Sequence, residues 1–524
     1  MRSDSLYCEL YVLDFMESTP MMRVFLAVLI ASYLSSPTLQ ANDRPNIVLI
    51  VVDDMGFSDL GCFGGEVSTP NLDQLASGGL RFTQFYNCAK CETTRATLLS
   101  GQYHPSVGIG KLENCMTIAE GMKLGGYTTL MSGKWHMNST PVERGFDRYF
   151  GHLSGACNFF KGDNTFRLDD KPFDVPDEGF YTTDADTDYA IEFLKGADAD
   201  KPFFLYLAYN APHYPLQAPR EEVEKYRGKY MMGWDELRKT RLARMKDLGI
   251  VSPNCPLSPR PDDVPAWDEM SAEQKNEQDL LMATYAGMID RVDQNIGRLI
   301  GHLKATERYE NTLFMFLSDN GACPFQRTQP KTLKNKLMPW DPESYWTYDK
   351  RWAHACNTPL REYKQNQHEG GISTAFIAHW AKGIKAPGTI VSQPAHLVDL
   401  MATGLDLAGV AYPDTYGGKS VGKAQGLSLA PIFAGHHRQP HDALLFTFYG
   451  KNNALRVGDW KLVNINNGPW ELYNIADDRT ELNDLSESQP DRFRDLQLKW
   501  DVIAKEIGAE RKQANVGKKK QKGK

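Results

Sequence analysis

Three carboxylates and one amide stand in two adjacent pairs, Asp53-Asp54 and Asp319-Asn320, and each pair ends an apolar run. All four ligate through oxygen, so together they suit a hard divalent cation such as calcium or magnesium. Asp and Asn also cap helices, and either pair alone would serve equally well as a cap. A third segment, Cys91-Glu92-Thr93-Thr94-Arg95, places a thiol and a guanidinium four positions apart, with a helix predicted over residues 94–100. A helix N-terminus lowers a thiol pKa and favours bound anions. An arginine one turn in suits pairing with an oxyanion or with a nucleophile's own oxygens. The plain alternatives are a buried free thiol and an ordinary salt bridge.

Strands must position these residues. Asn46-Ile47-Val48-Leu49-Ile50-Val51-Val52 is apolar without alternation, the pattern of a strand buried on both faces of a parallel sheet. Leu313-Phe314-Met315-Phe316-Leu317 is similar and stops at Ser318-Asp319-Asn320-Gly321. Residues 203–209 lead into Asn210-Ala211-Pro212-His213, and residues 127–131 lead towards Gly133-Lys134-Trp135-His136. In an open α/β sheet ligands collect beyond the carboxyl ends of the strands, so these four ends would surround one crevice. Helical spacing at 71–76 and 281–303 alternates with the strands and predicts a large, mostly parallel sheet flanked by helices. A Pro-rich, polar stretch at 252–267 reads as a long surface insertion. Past about residue 431 come short strands at 444–449, 454–463 and 471–474, then an amphipathic helix at 491–507. They suit a small domain with an antiparallel sheet and a helix.

The chain has 524 residues, 41% hydrophobic and 24% charged, with a net charge of -7. That composition suits a globular protein with a second, smaller domain. It advertises no nucleic-acid partner, since the run Lys518-Lys519-Lys520 is short. Arg23 precedes the apolar run Val24-Phe25-Leu26-Ala27-Val28-Leu29-Ile30-Ala31, and small or polar residues follow to Ala41, as in a secretory signal peptide. The run is roughly half of the ~20 apolar residues that span a bilayer, which predicts export to the periplasm or beyond and no transmembrane segment. Met21 or Met22 then reads as the start. The expected organisation is an extension and signal peptide over 1–41, a catalytic α/β domain over 42–430, a small α+β domain over 431–510 and a basic, frayed tail over 511–524. Of the nine cysteines only Cys88 and Cys91 stand at CxxC spacing, and one such pair indicates neither a zinc site nor a disulfide framework. With Cys8 and Cys91 set aside an odd number remains, leaving at least one thiol unpaired.

Six motifs stand in one order: Pro45 through Asp53-Asp54-Met55-Gly56, Cys91 through Leu98-Leu99-Ser100-Gly101, Gly133-Lys134-Trp135-His136, Ala211-Pro212-His213, Leu317 through Gly321, and Lys364 through Glu369-Gly370-Gly371. In this the chain resembles the type I, formylglycine-dependent sulfatases of the alkaline phosphatase superfamily over nearly all of its mature length. Gly108-Ile109-Gly110 and residues 241–267 resemble the bacterial arylsulfatases in particular. The resemblance implies one calcium ion, with magnesium as the alternative, held by Asp53, Asp54, Asp319 and Asn320 and completed by the modified Cys91. It implies that a separate formylglycine-generating enzyme converts Cys91 to 3-oxoalanine on the unfolded chain. In the implied mechanism the hydrated aldehyde attacks sulfur while the metal and Arg95 stabilise its alkoxide. His136 then deprotonates the second hydroxyl and sulfate is expelled. His213 would protonate the leaving alcohol, as an imidazole titrating near neutrality can, and Lys134 and Lys364 would balance growing charge.

Two departures from the family pattern matter. The family reads Gly-Lys-Gly-Thr-x-Tyr-Glu-Gly-Gly where this chain reads Tyr363-Lys364-Gln365-Asn366-Gln367-His368-Glu369-Gly370-Gly371, so Lys331, Lys334 and Lys336 are the substitutes if the loop is shifted. Thr93 stands where the modification signal carries Pro or Ala, which weakens recognition although Arg95 is kept. Two other readings remain: a phosphoesterase of the same superfamily with a hydroxyl nucleophile and two metal ions, and a sulfate-ester-binding protein with an unmodified Cys91. The substrate is an aryl sulfate or a sulfated carbohydrate, and the aromatic segment 340–352 would stack on its ring or pack into the core.

Overall fold

The computed structural model describes residues 44–509; the signal-peptide pattern and the basic tail lie outside them. The main sheet contains, in chain order, β1 Asn46–Val52, β2 Leu80–Tyr86, β3 Thr128–Gly133, β4 Arg148–His152, β5 Phe166–Leu168, β6 Lys171–Pro172, β7 Phe203–Ala208, β8 Thr312–Ser318, β9 Ser373–His379, β10 Thr389–Val391 and β11 Ala395–His396. Their order is β10-β2-β9-β8-β1-β7-β3-β4-β5-β6, with β11 beside β2. The central run β8-β1-β7-β3-β4 is parallel, whereas β9 runs antiparallel between β8 and β2.

The absence of alternation in β1 has a direct cause. Val48, Ile50 and Val52 face one apolar cluster, and Ile47, Leu49 and Val51 face another on the opposite side of the sheet. Both clusters are closed by helices. Those of eight residues or more are α1 Pro70–Ser77, α2 Cys91–Ser100, α3 Thr182–Gly196, α4 Gly233–Asp247, α5 Ala272–Ala305, α6 Val398–Ala408 and α7 Pro490–Glu506. Helices α1, α3, α4 and α5 share residues with the first cluster, and α2 and α6 with the second. The expected architecture, a mostly parallel sheet covered on both faces, is the observed one.

The expected surface insertion is largely exposed, as read from the sequence, and is pinned to the body at a few buried residues. Arg238 Nη2 donates to Ser258 O and Oγ, each at 2.8 Å, and the Trp267 ring stands perpendicular to Trp234 at 4.8 Å. Of the aromatic segment, Trp346, Tyr348 and Trp352 are buried core residues.

After a two-stranded ribbon, β12 Thr415–Tyr416 and β13 Lys419–Ser420, the chain forms a four-stranded antiparallel sheet. Its strands are β14 Leu444–Phe448, β15 Asn452–Val457, β16 Trp460–Asn464 and β17 Trp470–Asn474. The stretch 454–463 is a hairpin, because Gly458 turns it with a positive φ of 56°. One face of this sheet packs on α7 through Leu445, Leu455, Leu462, Leu472 and Trp500. The other, with Phe446, Ala454 and Val463, packs on Tyr86, Ala89 and Ile372. From Pro45 to Ala509 the chain is one compact unit. Among the described residues all eight cysteines are free, and no helix is long and apolar enough to cross a membrane.

Candidate active site

Where β1 ends, Asp53 is fully buried and Asp54 turns left-handed with φ 69°, a conformation Asp tolerates better than most residues. At the end of β8, Asp319 N donates to Val52 O at 3.0 Å, so the two strand ends stay in step beyond the sheet. Thr94 fixes α2 against them. Its hydroxyl accepts from Cys88 N at 3.0 Å and donates to Asp319 O at 2.6 Å, which sets Cys91 as the first residue of the helix beside both aspartates. Ligating atoms of Asp53, Cys91 and Asp319 lie within 4.8 Å of one another, and so do those of Asp53, Asp54 and His213.

Three cations surround these carboxylates. Arg95, fully buried, donates through Nη2 to Asp319 Oδ2 at 3.1 Å and through Nη1 to Lys134 O at 2.9 Å and Tyr206 OH at 3.2 Å. Lys134 Nζ donates to Asp53 Oδ2, and Lys364 Nζ donates to Asp54 Oδ1. Lys364 therefore reaches the aspartates despite its unusual neighbours, whereas Lys331, Lys334 and Lys336 are exposed. Asn320 Nδ2 donates to Asp54 Oδ1 at 2.6 Å, and His213 Nε2 lies 3.4 Å from Asp54 Oδ2.

His213 Nδ1 lies 2.6 Å from Tyr214 O, a pure acceptor, so Nδ1 carries the hydrogen and Nε2 is left facing the site. His136 sits at the margin, partly exposed, with a left-handed φ of 60° and no hydrogen bond to the group. His213 lies below the near-neutral range expected from the sequence, and His136 lies lower still. Burial pushes His213 down to about 4, against the pull of Asp54 and Asp53, and pushes His136 down to about 2, helped by Lys134 and Arg95. The expected lowering of the Cys91 thiol is also overturned: burial raises its pKa more than Lys134 and Lys364 lower it.

The aspartates divide the charge. Burial would raise Asp53, but Lys134, His213, Lys364 and Arg95 outweigh it and hold Asp53 well below the carboxylate range. Asp319 is pushed up to about 7 by burial and by Asp53, despite Arg95 and Lys134. Three acceptor oxygens of the group, Asp53 Oδ1, Asp54 Oδ2 and Asn320 Oδ1, are buried without a hydrogen-bond donor. Buried acceptors normally find donors, and an orphaned trio of oxygens from the two paired motifs is what a hard cation would satisfy. The residues present therefore fit a divalent metal ion.

Sequence reasoning missed the residues that hold this group from elsewhere. Tyr206, within β7, braces Arg95, and its apolar run gave no sign of it. Cys323 lines a cavity of about 10 Å³ with Asp54 and Tyr214, and its only signal was its place three residues after Asn320.

The family model described as Sulfatase matches residues 45–410. An arylsulfatase of Klebsiella aerogenes is 33% identical over 436 residues, covering 76% of this chain and 93% of that protein. An N-acetylglucosamine-6-O-sulfatase of Bacteroides thetaiotaomicron is 27% identical, covering 87% of this chain and 85% of its own. Among solved structures, Ps i-CgsB in complex with k-i-k-neocarrahexaose superposes with a TM-score of 0.64 at 27% identity, covering 89% of this chain and 94% of that one. The family match runs from the start of β1 to just past α6 and so spans every strand that contributes to the site. The protein belongs to the sulfatase family, sulfuric ester hydrolases of the alkaline phosphatase superfamily.

Proposed function

We propose that the protein hydrolyses sulfate monoesters through a formylglycine made from Cys91, with one calcium ion held by Asp53, Asp54, Asp319 and Asn320. The observation that carries this reading is the orphaned trio of buried acceptor oxygens beside Cys91, ringed by Arg95, Lys134 and Lys364. The ion would supply Lewis-acid polarisation, and the aldehyde a hydrated nucleophile that a thiol does not provide.

The chain's own residues supply the rest. Arg95 ties the ends of β8 and β3 to the middle of β7, which fixes the spacing around Cys91. Lys134 and Lys364 lie where they can meet charge on the sulfuryl oxygens. His213, with its tautomer fixed by Tyr214 O, turns Nε2 towards the ester; entry of an anionic sulfate favours its protonated form and lets it pass a proton to the departing alcohol. His136, at the margin, takes the proton that must leave before sulfate is released. The relatives' names include aryl and sugar esters, so the alcohol half belongs to one of these classes. The signal-peptide pattern between Arg23 and Ala41 supports export.

The test is mass spectrometry of the peptide carrying residue 91, from a host with the modifying enzyme, beside turnover of 4-nitrophenyl sulfate. An aldehyde with turnover that vanishes in Cys91→Ala supports the reading. Turnover that survives in Cys91→Ala overturns it, and an intact thiol with no turnover points to a binding protein.

A further inference from the structure

A second polar cluster lies beside the nucleophile and is not used by the catalytic group. Lys90 and Glu92 flank Cys91 in sequence, and their side chains meet Tyr449 from the turn between β14 and β15. Lys90 Nζ donates to Tyr449 OH at 2.9 Å, and that hydroxyl donates to Glu92 Oε2 at 3.1 Å. Lys90 Nζ lies 3.4 Å from Glu92 Oε2, with 22% and 24% of the two side chains exposed, whereas Cys91 between them is only 4% exposed. The cluster is thus partly open to solvent, next in sequence to the buried nucleophile position.

The conformation of Tyr449 makes its placement informative. Its φ is 51°, in the left-handed region that a bulky residue avoids, and Gly450 follows at 67°. Asn or Gly would close this hairpin with less strain, so the turn gives no reason for an aromatic ring there. The ring lies 4.5 Å from that of Phe448 and 5.0 Å from the Lys90 ammonium. It also lines a cavity of about 270 Å³ with His104, Pro105, Ile109 and Thr447.

We propose that Lys90, Glu92 and Tyr449 form the subsite for the alcohol half of the ester, and that it takes a hydroxyl-bearing sugar ring in preference to a bare aryl group. This rests on the sulfatase reading above. A carboxylate, an ammonium and a phenol within hydrogen-bond reach of each other offer acceptors and donors to neighbouring hydroxyls, and the aromatic faces offer a surface for the C–H face of a sugar. The Lys90 charge is matched by Glu92, which favours neutral hydroxyls over a second anionic group. An unsubstituted aryl ring would cover these groups without pairing them, at a desolvation cost.

The experiment measures kcat/KM on a panel of sulfated mono- and disaccharides, N-acetylglucosamine 6-sulfate and N-acetylgalactosamine 6-sulfate among them, and on 4-nitrophenyl sulfate. The parent is compared with Tyr449→Ala, Tyr449→Phe and Glu92→Gln, and a thermal melt reports folding. The expected result is that the parent cleaves a sugar sulfate, and that its sugar-to-aryl ratio of kcat/KM falls about tenfold or more in Tyr449→Ala and Glu92→Gln, through KM. Tyr449→Phe, which keeps the ring, falls between. If Tyr449→Ala does not fold, Glu92→Gln decides, because it changes neither size nor backbone. An unchanged ratio, or a parent that cleaves the aryl ester and no sugar sulfate, overturns the subsite and leaves the sulfatase reading standing. A parent that turns over neither class sinks both.

Discussion

Arg95 holds the site together because one planar fork reaches three strands at once. A lysine ammonium carries the charge but cannot span Asp319, Lys134 O and Tyr206 OH together. Arg95→Lys is expected to lower kcat/KM on 4-nitrophenyl sulfate by about 100-fold or more and to lower the thermal midpoint. Full activity in that variant would show that position, as distinct from charge, is unimportant here. Thr93 bears on maturation instead. In the folded chain its hydroxyl donates to Cys88 O and Lys90 O, each at 2.9 Å, so it replaces proline's rigidity with local hydrogen bonds. Proline at this third helical position removes no intrahelical bond. Thr93→Pro is therefore expected to change stability by only about 1 kcal/mol, the worth of one hydroxyl hydrogen bond set against reduced chain entropy. The same variant should raise the aldehyde fraction at residue 91 by mass spectrometry. An unchanged fraction would mean that the modifier tolerates Thr93. The charged members of the site were legible because polar residues at the ends of apolar runs have few other uses. Its supports were not. Tyr206 and Tyr449 reach their partners across more than 100 residues of sequence, and no local pattern encodes such contacts.

The element that carries Lys364 is held from the far side by the C-terminal sheet. Asn452 Nδ2 donates to Gln365 O at 2.7 Å, His368 Nε2 lies 2.8 Å from Glu471 Oε2, and the buried Glu369 pairs with Lys461 at 2.8 Å and Arg479 at 2.7 Å. The small sheet is thus a clamp on the lysine loop. Strand and helix positions here were readable from apolar periodicity, whereas this docking depends on buried charges that look solvated in a sequence. The antiparallel course of β9 was unreadable for a related reason: a strand buried on both faces has the same composition in either direction. Glu369 also gives the clamp a pH dependence. Burial would raise its pKa, but Lys461, Arg479 and Arg456 outweigh it and hold the carboxyl well below its ordinary 4.5. A carboxyl held lower in the fold than in the unfolded chain stabilises the fold above its ordinary pKa, and that stability is lost as pH falls towards the folded value. Glu369→Gln is expected to cost about 3 kcal/mol at pH 7, by leaving Arg479 without its carboxylate. Its denaturation midpoint should also fall less steeply than the parent's below about pH 4.5. Parallel acid limbs in urea titrations of the two proteins would remove Glu369 from the account.

At the scale of the whole molecule, the fold sets Asp53, Asp54 and Asp319 against Arg95, Lys134 and Lys364, three formal negative charges against three positive, in a chain whose net charge is -7. Lys134 pairs with Asp53 and Lys364 with Asp54, while burial and the neighbouring Asp53 push Asp319 up to about 7. A divalent cation would change that balance, satisfying the unpaired oxygens and leaving the crevice positive towards an anionic ester. Metal and fold are therefore linked: an ion that binds the folded chain at about 100 times its Kd stabilises it by about 2.7 kcal/mol. For a chain of this size that corresponds to a thermal midpoint higher by roughly 3 °C. Dialysis against EDTA should lower the midpoint by about that much, and calcium should restore it better than magnesium, because a flexible ring of carboxylate and amide oxygens suits the larger ion. Elemental analysis of the undialysed protein should find one ion per chain. Two tightly held ions would favour the two-metal phosphoesterase reading, since both candidate ligand groups found among the described residues share Asp53 and describe a single centre. No bound ion and no shift with EDTA would mean that the lysine pairs are the functional state of the site, and the orphaned oxygens of Asp53, Asp54 and Asn320 would then need another explanation.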